Sequence, residues 1–73
     1  MQKRLSELKS GDIVKFDQDT FQCYEDCKHN VGRSDDVYSC HATCLTGSAG
    51  VYYYPGSEWN FQGKADRMLE IIE

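Results

Sequence analysis

Four cysteines form two Cys-x3-Cys pairs, Cys23 with Cys27 and Cys40 with Cys44, separated by twelve residues. The spacing is symmetric, because Cys23 and Cys44 lie equally far from the Arg33–Ser34 midpoint, and so do Cys27 and Cys40. In an antiparallel hairpin centred at that midpoint, residues at equal distances oppose each other. The spacing therefore predicts that, if the cysteines are oxidised, the bridges are Cys23–Cys44 and Cys27–Cys40.

Both a β-hairpin and an αα-hairpin satisfy this symmetry. In strands, Cys23 and Cys27 lie about 13 Å apart along one face, whereas zinc–sulfur bonds are about 2.3 Å, so four thiolates could not meet one zinc ion. In helices, residues four apart are neighbours, and two disulfides or one zinc site become reachable. His29 and His41 could each replace a cysteine ligand. We expect structural thiols with no metal and no cofactor, and leave disulfides and zinc open as alternatives.

The chain has 73 residues, which predicts one domain spanning residues 1–73. So short a domain buries little of its surface and is often stabilised by a disulfide, a metal or a partner. No apolar run approaches the length of a membrane span, and Met1–Ser10 lacks a signal-peptide core. We therefore expect a cytoplasmic protein that does not contact membranes.

The net charge of −4 is concentrated in the middle of the sequence, from Phe16 to Tyr38. Nucleic-acid binding relies on Lys and Arg that neutralise phosphates. Duplex nucleic acid is therefore not an expected partner. The basic residues that a nucleic-acid-binding barrel would use, together with exposed tyrosines, are Lys3, Arg4, Lys9 and Lys15.

Three segments have strand patterns: Ile13–Phe16, Val51–Tyr54, and Glu58–Gln62, which alternates polar and aromatic residues. Thr20–Lys28 and Val37–Leu45 are predicted to be ordered segments on either side of the hairpin centre. The C-terminal tail is ambiguous. Its apolar residues share one face of a helix, but the tail could also close a sheet as a strand, Met68–Ile72.

The stretch Leu8-Lys9-Ser10-Gly11-Asp12-Ile13-Val14 resembles the opening of small SH3-like barrels. The chain also resembles compact bacteriophage-encoded proteins, which are short, acidic and rich in aromatic residues. The resemblance to SH3-like barrels covers the first sixteen residues and implies a short-stranded barrel with a binding role. If the chain is phage-encoded, it implies the host cytoplasm as its location.

The cysteine spacing also resembles the twin Cys-x3-Cys families, which include plant α-hairpinins and small chaperones of the mitochondrial intermembrane space. That resemblance rests on the cysteines alone and implies two helices bridged by the outer and inner pairs. We rank it second, because those families lack the strand patterns at Val51–Tyr54 and Glu58–Gln62.

Catalytic signatures are missing from the sequence. It has neither a Cys-x-x-Cys motif nor a glycine-rich phosphate loop. Cys40 and His41 are adjacent, so in a strand they point to opposite faces and cannot form a nucleophile pair. Asp35-Asp36 is typical of a turn or helix cap. We therefore expect a protein that is not an enzyme.

Five of the nine aromatic residues lie between Val51 and Phe61. Alternation cannot turn them all inward, and exposed tyrosines are frequent binding hot spots. We predict that Trp59 is required for folding. The predicted binding residues, with the acidic ones at the rim, are Tyr52, Tyr54, Asp35 and Asp36.

These observations predict a mainly β domain, a small SH3-like antiparallel barrel with the option of a short C-terminal helix. The alternative fold is α+β with a cysteine-paired αα-hairpin. The predicted function is a small protein-interaction module, a phage-type regulator or inhibitor that binds a host protein. The alternatives are a cysteine- or zinc-stapled structural module and a nucleic-acid-binding barrel.

Overall fold

The computed structural model describes residues 1–30, 37–47 and 54–72. In this part of the chain the regular structure is a set of short strands and one 3-10 turn, Leu5–Glu7, with no α-helix. The strands are β1 (Gln2–Arg4), β2 (Ile13–Phe16), β3 (Asp19–Cys23), β4 (Lys28–Asn30), β5 (Val37–Cys44), β6 (Glu58–Gly63) and β7 (Met68–Ile72). The predicted mainly β fold class is confirmed.

The strands form one antiparallel sheet. Strand β7 lies between β1 and β2, and β2 continues to β3. One edge of β5 pairs with β6 over Tyr38–Thr43, so β3 and β4 share its other edge. The sheet curls into a half-barrel that is compatible with a small SH3-like barrel.

The β2–β3 hairpin is regular and β2 has the predicted bounds. Phe16 pairs with Asp19, which leaves a two-residue loop. Both loop residues have positive φ, 54° at Asp17 and 71° at Gln18. This is the signature of a type I′ turn, whose twist matches that of the flanking strands.

The concave face of the sheet carries the core. Phe21 and Phe61 are buried, and their ring centroids lie 5.5 Å apart with the planes almost perpendicular. Phe16 and Trp59 pack against them at the edge of the cluster. Trp59 and Phe61 share this face, as the alternation predicted. The buried apolar side chains are Leu5, Leu8, Val14, Phe21, Cys23, Cys40, Ala42, Cys44, Phe61, Leu69 and Ile71.

The C-terminal tail is a strand, so the optional terminal helix is wrong. Strand β7 pairs on both sides, with Lys3 opposite Leu69 on β1 and Val14 opposite Ile71 on β2. Leu69 and Ile71 are buried while Met68 is half exposed, which is the alternation of a sheet. The backbone pairing of the tail with both β1 and β2 stabilises the strand, although its apolar residues would also fit one face of a helix.

The αα-hairpin alternative is also wrong, because Lys28–Asn30 and Val37–Cys44 are strands. The strand predicted at Val51–Tyr54 falls mostly outside the described residues, and Tyr54 itself lies in a turn. Within the described ranges, the chain forms no helix with the length and hydropathy needed to cross a membrane.

Candidate functional site

The pairing along β5 is interrupted by a bulge, Tyr24–Cys27. On one side of it Cys23 lies opposite Ala42, and on the other Lys28 lies opposite Ser39. Four residues of the bulge therefore face only Cys40 and His41. Because the regular backbone pairing is lost within the bulge, side chains can accept hydrogen bonds from backbone amides of β5.

The loop between the 3-10 turn and β2, residues 8–12, holds the bulge in place through its backbone groups. The Cys27 amide donates to the Leu8 carbonyl over 3.0 Å. The Ser10 amide donates to Asp26 Oδ1 over 2.9 Å. The loop itself turns at Gly11, whose φ of 95° favours glycine. The stretch that resembles SH3-like openings thus supports the bulge.

Glu25 takes the place of a backbone acceptor in the bulge. Its Oε2 accepts the His41 amide over 2.9 Å and lies 2.6 Å from His41 Nδ1, while Lys28 Nζ lies 3.0 Å from Oε1. The His41 amide, then its ring, then Lys28 hold the pKa of Glu25 at about 2. Since an ionised carboxylate only accepts hydrogen bonds, Nδ1 carries the proton in this contact.

Tyr24 covers the outer side of His41. The two rings stack with centroids 6.2 Å apart at 25°. The Tyr24 hydroxyl donates to the Glu58 carboxylate on β6, and this bond raises the pKa of Tyr24 to about 12. The residue nevertheless stays 51% exposed. Tyr24 is therefore an accessible aromatic side chain whose ring stacks on His41 and whose hydroxyl is bonded to Glu58.

Tyr54 precedes Glu58 by four residues and lies at the start of a tight turn. The Ser57 amide donates to the Tyr54 carbonyl over 3.0 Å, and Gly56 has a φ of 88°. Pro55 at the second position and glycine at the third fit a type II turn. Tyr54 is 62% exposed.

Tyr54 thus lies at the surface, as predicted, but at the start of a turn and not on a strand; its role in binding stays a prediction. The other predicted binding residues, Tyr52, Asp35 and Asp36, lie outside the described residues. The structure instead shows two exposed tyrosines in the described residues: Tyr24, whose hydroxyl is bonded to Glu58, and Tyr54, which precedes Glu58 by four residues in the chain. We name these three residues the tyrosine surface.

Sequence reasoning missed Tyr24, Glu25 and Glu58. Their positions depend on the bulge, and nothing in a Cys-Tyr-Glu-Asp-Cys string marks a bulge rather than a continuous strand. The separation of Cys40 from His41 was predicted correctly. Cys40 is buried in the core, while the His41 side chain is 37% exposed on the other face.

The prediction that Cys23 opposes Cys44 is wrong. Phe21 lies opposite Cys44, because the bulge shifts the β3–β5 register by two residues. The β4–β5 register keeps the predicted centre, and Cys27 and Cys40 lie one position beyond its last pair, Lys28 with Ser39. All four cysteines are free thiols.

Three of the thiols gather at the bulge. Cys23 and Cys40 are hydrogen-bonded to each other, and this bond, together with burial, raises the pKa of Cys40. Cys40 Sγ also donates to the Glu25 carbonyl over 3.4 Å, and burial raises the pKa of Cys27. Cys44 lies apart and donates to the Thr46 carbonyl. Within residues 1–30, 37–47 and 54–72, no three His, Cys, Asp or Glu side chains are placed to hold one metal ion.

Neither a protein-family model nor a curated protein sequence matches this chain.

Proposed function

We propose that this protein is a non-enzymatic interaction module that binds a partner protein through the tyrosine surface. The observation that carries the proposal is the division of its aromatic rings. Phe16, Phe21 and Phe61, together with Trp59, pack on one another in or beside the core. Tyr24 and Tyr54 are mostly exposed. Two large aromatic side chains are thus available to a partner.

Tyr24 is suited to binding because its conformation is fixed before a partner arrives. Its ring rests on His41 and its hydroxyl is bonded to Glu58. A side chain that is already ordered loses little conformational entropy on binding. Tyrosines in such positions are frequent hot spots.

The charge around these tyrosines favours a basic partner. Glu58 accepts the hydrogen bond of the Tyr24 hydroxyl, and Glu25 is the residue next to Tyr24; both carboxylates raise the pKa of Tyr24. The chain as a whole has a net charge of −4. Charges at the rim of an interface act mainly on the association rate. We therefore propose that salt slows association more than it speeds dissociation.

The finer parts of the proposal come from the sequence. Small size, acidic composition and the resemblance to compact phage proteins support a regulator or inhibitor that binds a host protein. The free thiols support a reducing compartment such as the cytoplasm. A nucleic-acid-binding role would use Lys3, but this side chain is ion-paired with Asp12 over 3.0 Å, which reduces the charge that it offers to a phosphate.

The test compares one double variant with a matched control. Tyr24→Ala with Tyr54→Ala removes both exposed rings, while Met68→Ala removes a side chain that is 50% exposed on β7. The partner is first captured from the native cell lysate and purified, and its affinity is then measured by titration. Truncating a hot spot costs about 2 kcal/mol or more, roughly 30-fold in affinity. The proposal fails if the folded double variant binds like wild type, or if Met68→Ala weakens binding equally.

A further inference from the structure

We propose that the three thiols at the bulge are an oxidation site, at which hydrogen peroxide links Cys27 to Cys40. The proposal is independent of the proposed function, because it concerns the concave side of the sheet and not the tyrosine surface. It rests on the register of β4 and β5, on the burial of each cysteine and on the contacts of each thiol.

The register of β4 and β5 places Cys27 and Cys40 one position beyond the last backbone pair, Lys28 with Ser39. Cys40 is part of the core, and Cys27 packs against it. The Ser39 amide also donates to the Cys27 thiol. Opposed residues of antiparallel strands have Cα atoms about 4.5–5.5 Å apart, within the range of about 4.4–6.8 Å that disulfides use.

Cys23 is the competing partner, since its thiol is hydrogen-bonded to Cys40. Its backbone is less suitable, because Cys23 lies opposite Ala42 and is therefore diagonal to Cys40. Diagonal positions lie about 7–8 Å apart, beyond the usual Cα range of a disulfide. Cys44 is excluded by its separate position, where its thiol donates to the Thr46 carbonyl.

Burial determines which thiol peroxide meets first. Cys23, Cys40 and Cys44 are at most 1% exposed, whereas Cys27 is only partly buried. The Cys27 thiolate attacks one peroxide oxygen, the O–O bond breaks, and Cys27 becomes a sulfenic acid with release of water. The Cys40 thiol then attacks the Cys27 sulfur, and its proton passes to the displaced hydroxide, which leaves as a second water. Two thiols are oxidised and one peroxide is reduced to two waters.

The reaction is slow at neutral pH. Desolvation raises the pKa of the Cys27 thiol, so the reactive thiolate is a minor species. The bridge would close the segment from Cys27 to Cys40, which includes β4 and the whole connection from β4 to β5. Closing a loop restricts the unfolded chain, so the oxidised form should unfold at a higher temperature than the reduced form.

The experiment treats the purified full chain with hydrogen peroxide, alkylates the remaining thiols and maps the products by mass spectrometry. Cleavage after Glu25 separates Cys23 from Cys27, and fragmentation of the linked peptide separates Cys40 from Cys44. We expect one intramolecular Cys27–Cys40 bridge, with Cys23 and Cys44 alkylated. The same treatment of Cys27→Ser, shown by circular dichroism to be folded, should give no bridge. A Cys23–Cys40 bridge in either protein, any bridge to Cys44, or products without an intramolecular disulfide would overturn the proposal.

Discussion

The β2–β3 hairpin and the bulge between β3 and β4 lie at opposite ends of the same strand and are organised differently. The hairpin has regular backbone pairing throughout, from Ile13 with Gln22 to Phe16 with Asp19. In the bulge, a side chain replaces a backbone acceptor, because Glu25 receives the His41 amide. The hairpin therefore follows local turn chemistry, whereas the bulge depends on contacts between residues distant in sequence.

The two ends of β3 therefore have different roles. The Asp19 end belongs to the hairpin and supports the core, whereas the Cys23 end leads into the bulge that carries the proposed binding residue. The hairpin delivers Phe21 to the core, where it is fully buried. The bulge delivers Tyr24 to the surface and fixes it on His41. Substitutions at the two ends should consequently have different effects, which the following predictions measure.

The largest effect is expected at the hairpin end. Phe21→Ala removes a ring packed against Phe61 and should cost about 3–5 kcal/mol of unfolding free energy. A domain of this length has only about 4–11 kcal/mol in total. Urea denaturation should show a variant that is largely or wholly unfolded. Gln22→Ala, the exposed neighbour on the same strand, should stay within about 0.5 kcal/mol of wild type. Equal unfolding midpoints for the two variants would contradict the assigned core.

A smaller loss is expected at the bulge. Glu25→Ala leaves the His41 amide without its acceptor, which should cost about 1–3 kcal/mol. The exposed Glu70→Ala on β7 is the matched control and should be nearly neutral. Amide hydrogen exchange adds a local readout, because only Glu25→Ala should speed exchange at His41. Unchanged protection at His41 would show that another group accepts this amide.

The acid limb of the stability curve should also depend on Glu25. Folding lowers its pKa from about 4.5 to about 2, so the ionised form is favoured in the folded state. Its contribution to stability is complete above pH 4.5 and is lost as the pH falls towards 2. The stability difference between wild type and Glu25→Gln should therefore shrink across this window. A difference that stays constant from neutral pH to pH 2 would contradict the assigned contacts.

The smallest effect concerns the titration of Tyr24. Glu58 raises its pKa from 10 to about 12, and Glu58→Gln removes the carboxylate charge. Phenolate absorbance should then show one tyrosine that titrates closer to 10 than in wild type. Tyr24→Phe identifies which transition belongs to this residue. If Glu58→Gln leaves that transition in place, the hydroxyl is not bonded to Glu58.

The regular parts of the fold were predictable because they depend on local patterns. Ile13–Phe16 has the same bounds in the sequence prediction and in the structure, and alternation placed Trp59 and Phe61 on the core face. The tail was not decided, since its apolar residues fit both a helix and a strand until β1 and β2 pair with it. The register of Cys23 was wrong because cysteine symmetry assumes a continuous strand. Of the tyrosine surface, only Tyr54 was identified from the sequence, and the Glu25–His41 contact joins segments that no local pattern connects.

The central claim is that a bulge shifts the register of β5 between its two neighbours and so presents Tyr24. Cross-strand nuclear Overhauser effects on the labelled protein test it directly. We predict backbone contacts from Cys23 to Ala42 on one side of the bulge and from Lys28 to Ser39 on the other. Contacts from Cys23 to Cys44, with an uninterrupted ladder through Tyr24 and Cys27, would contradict the claim.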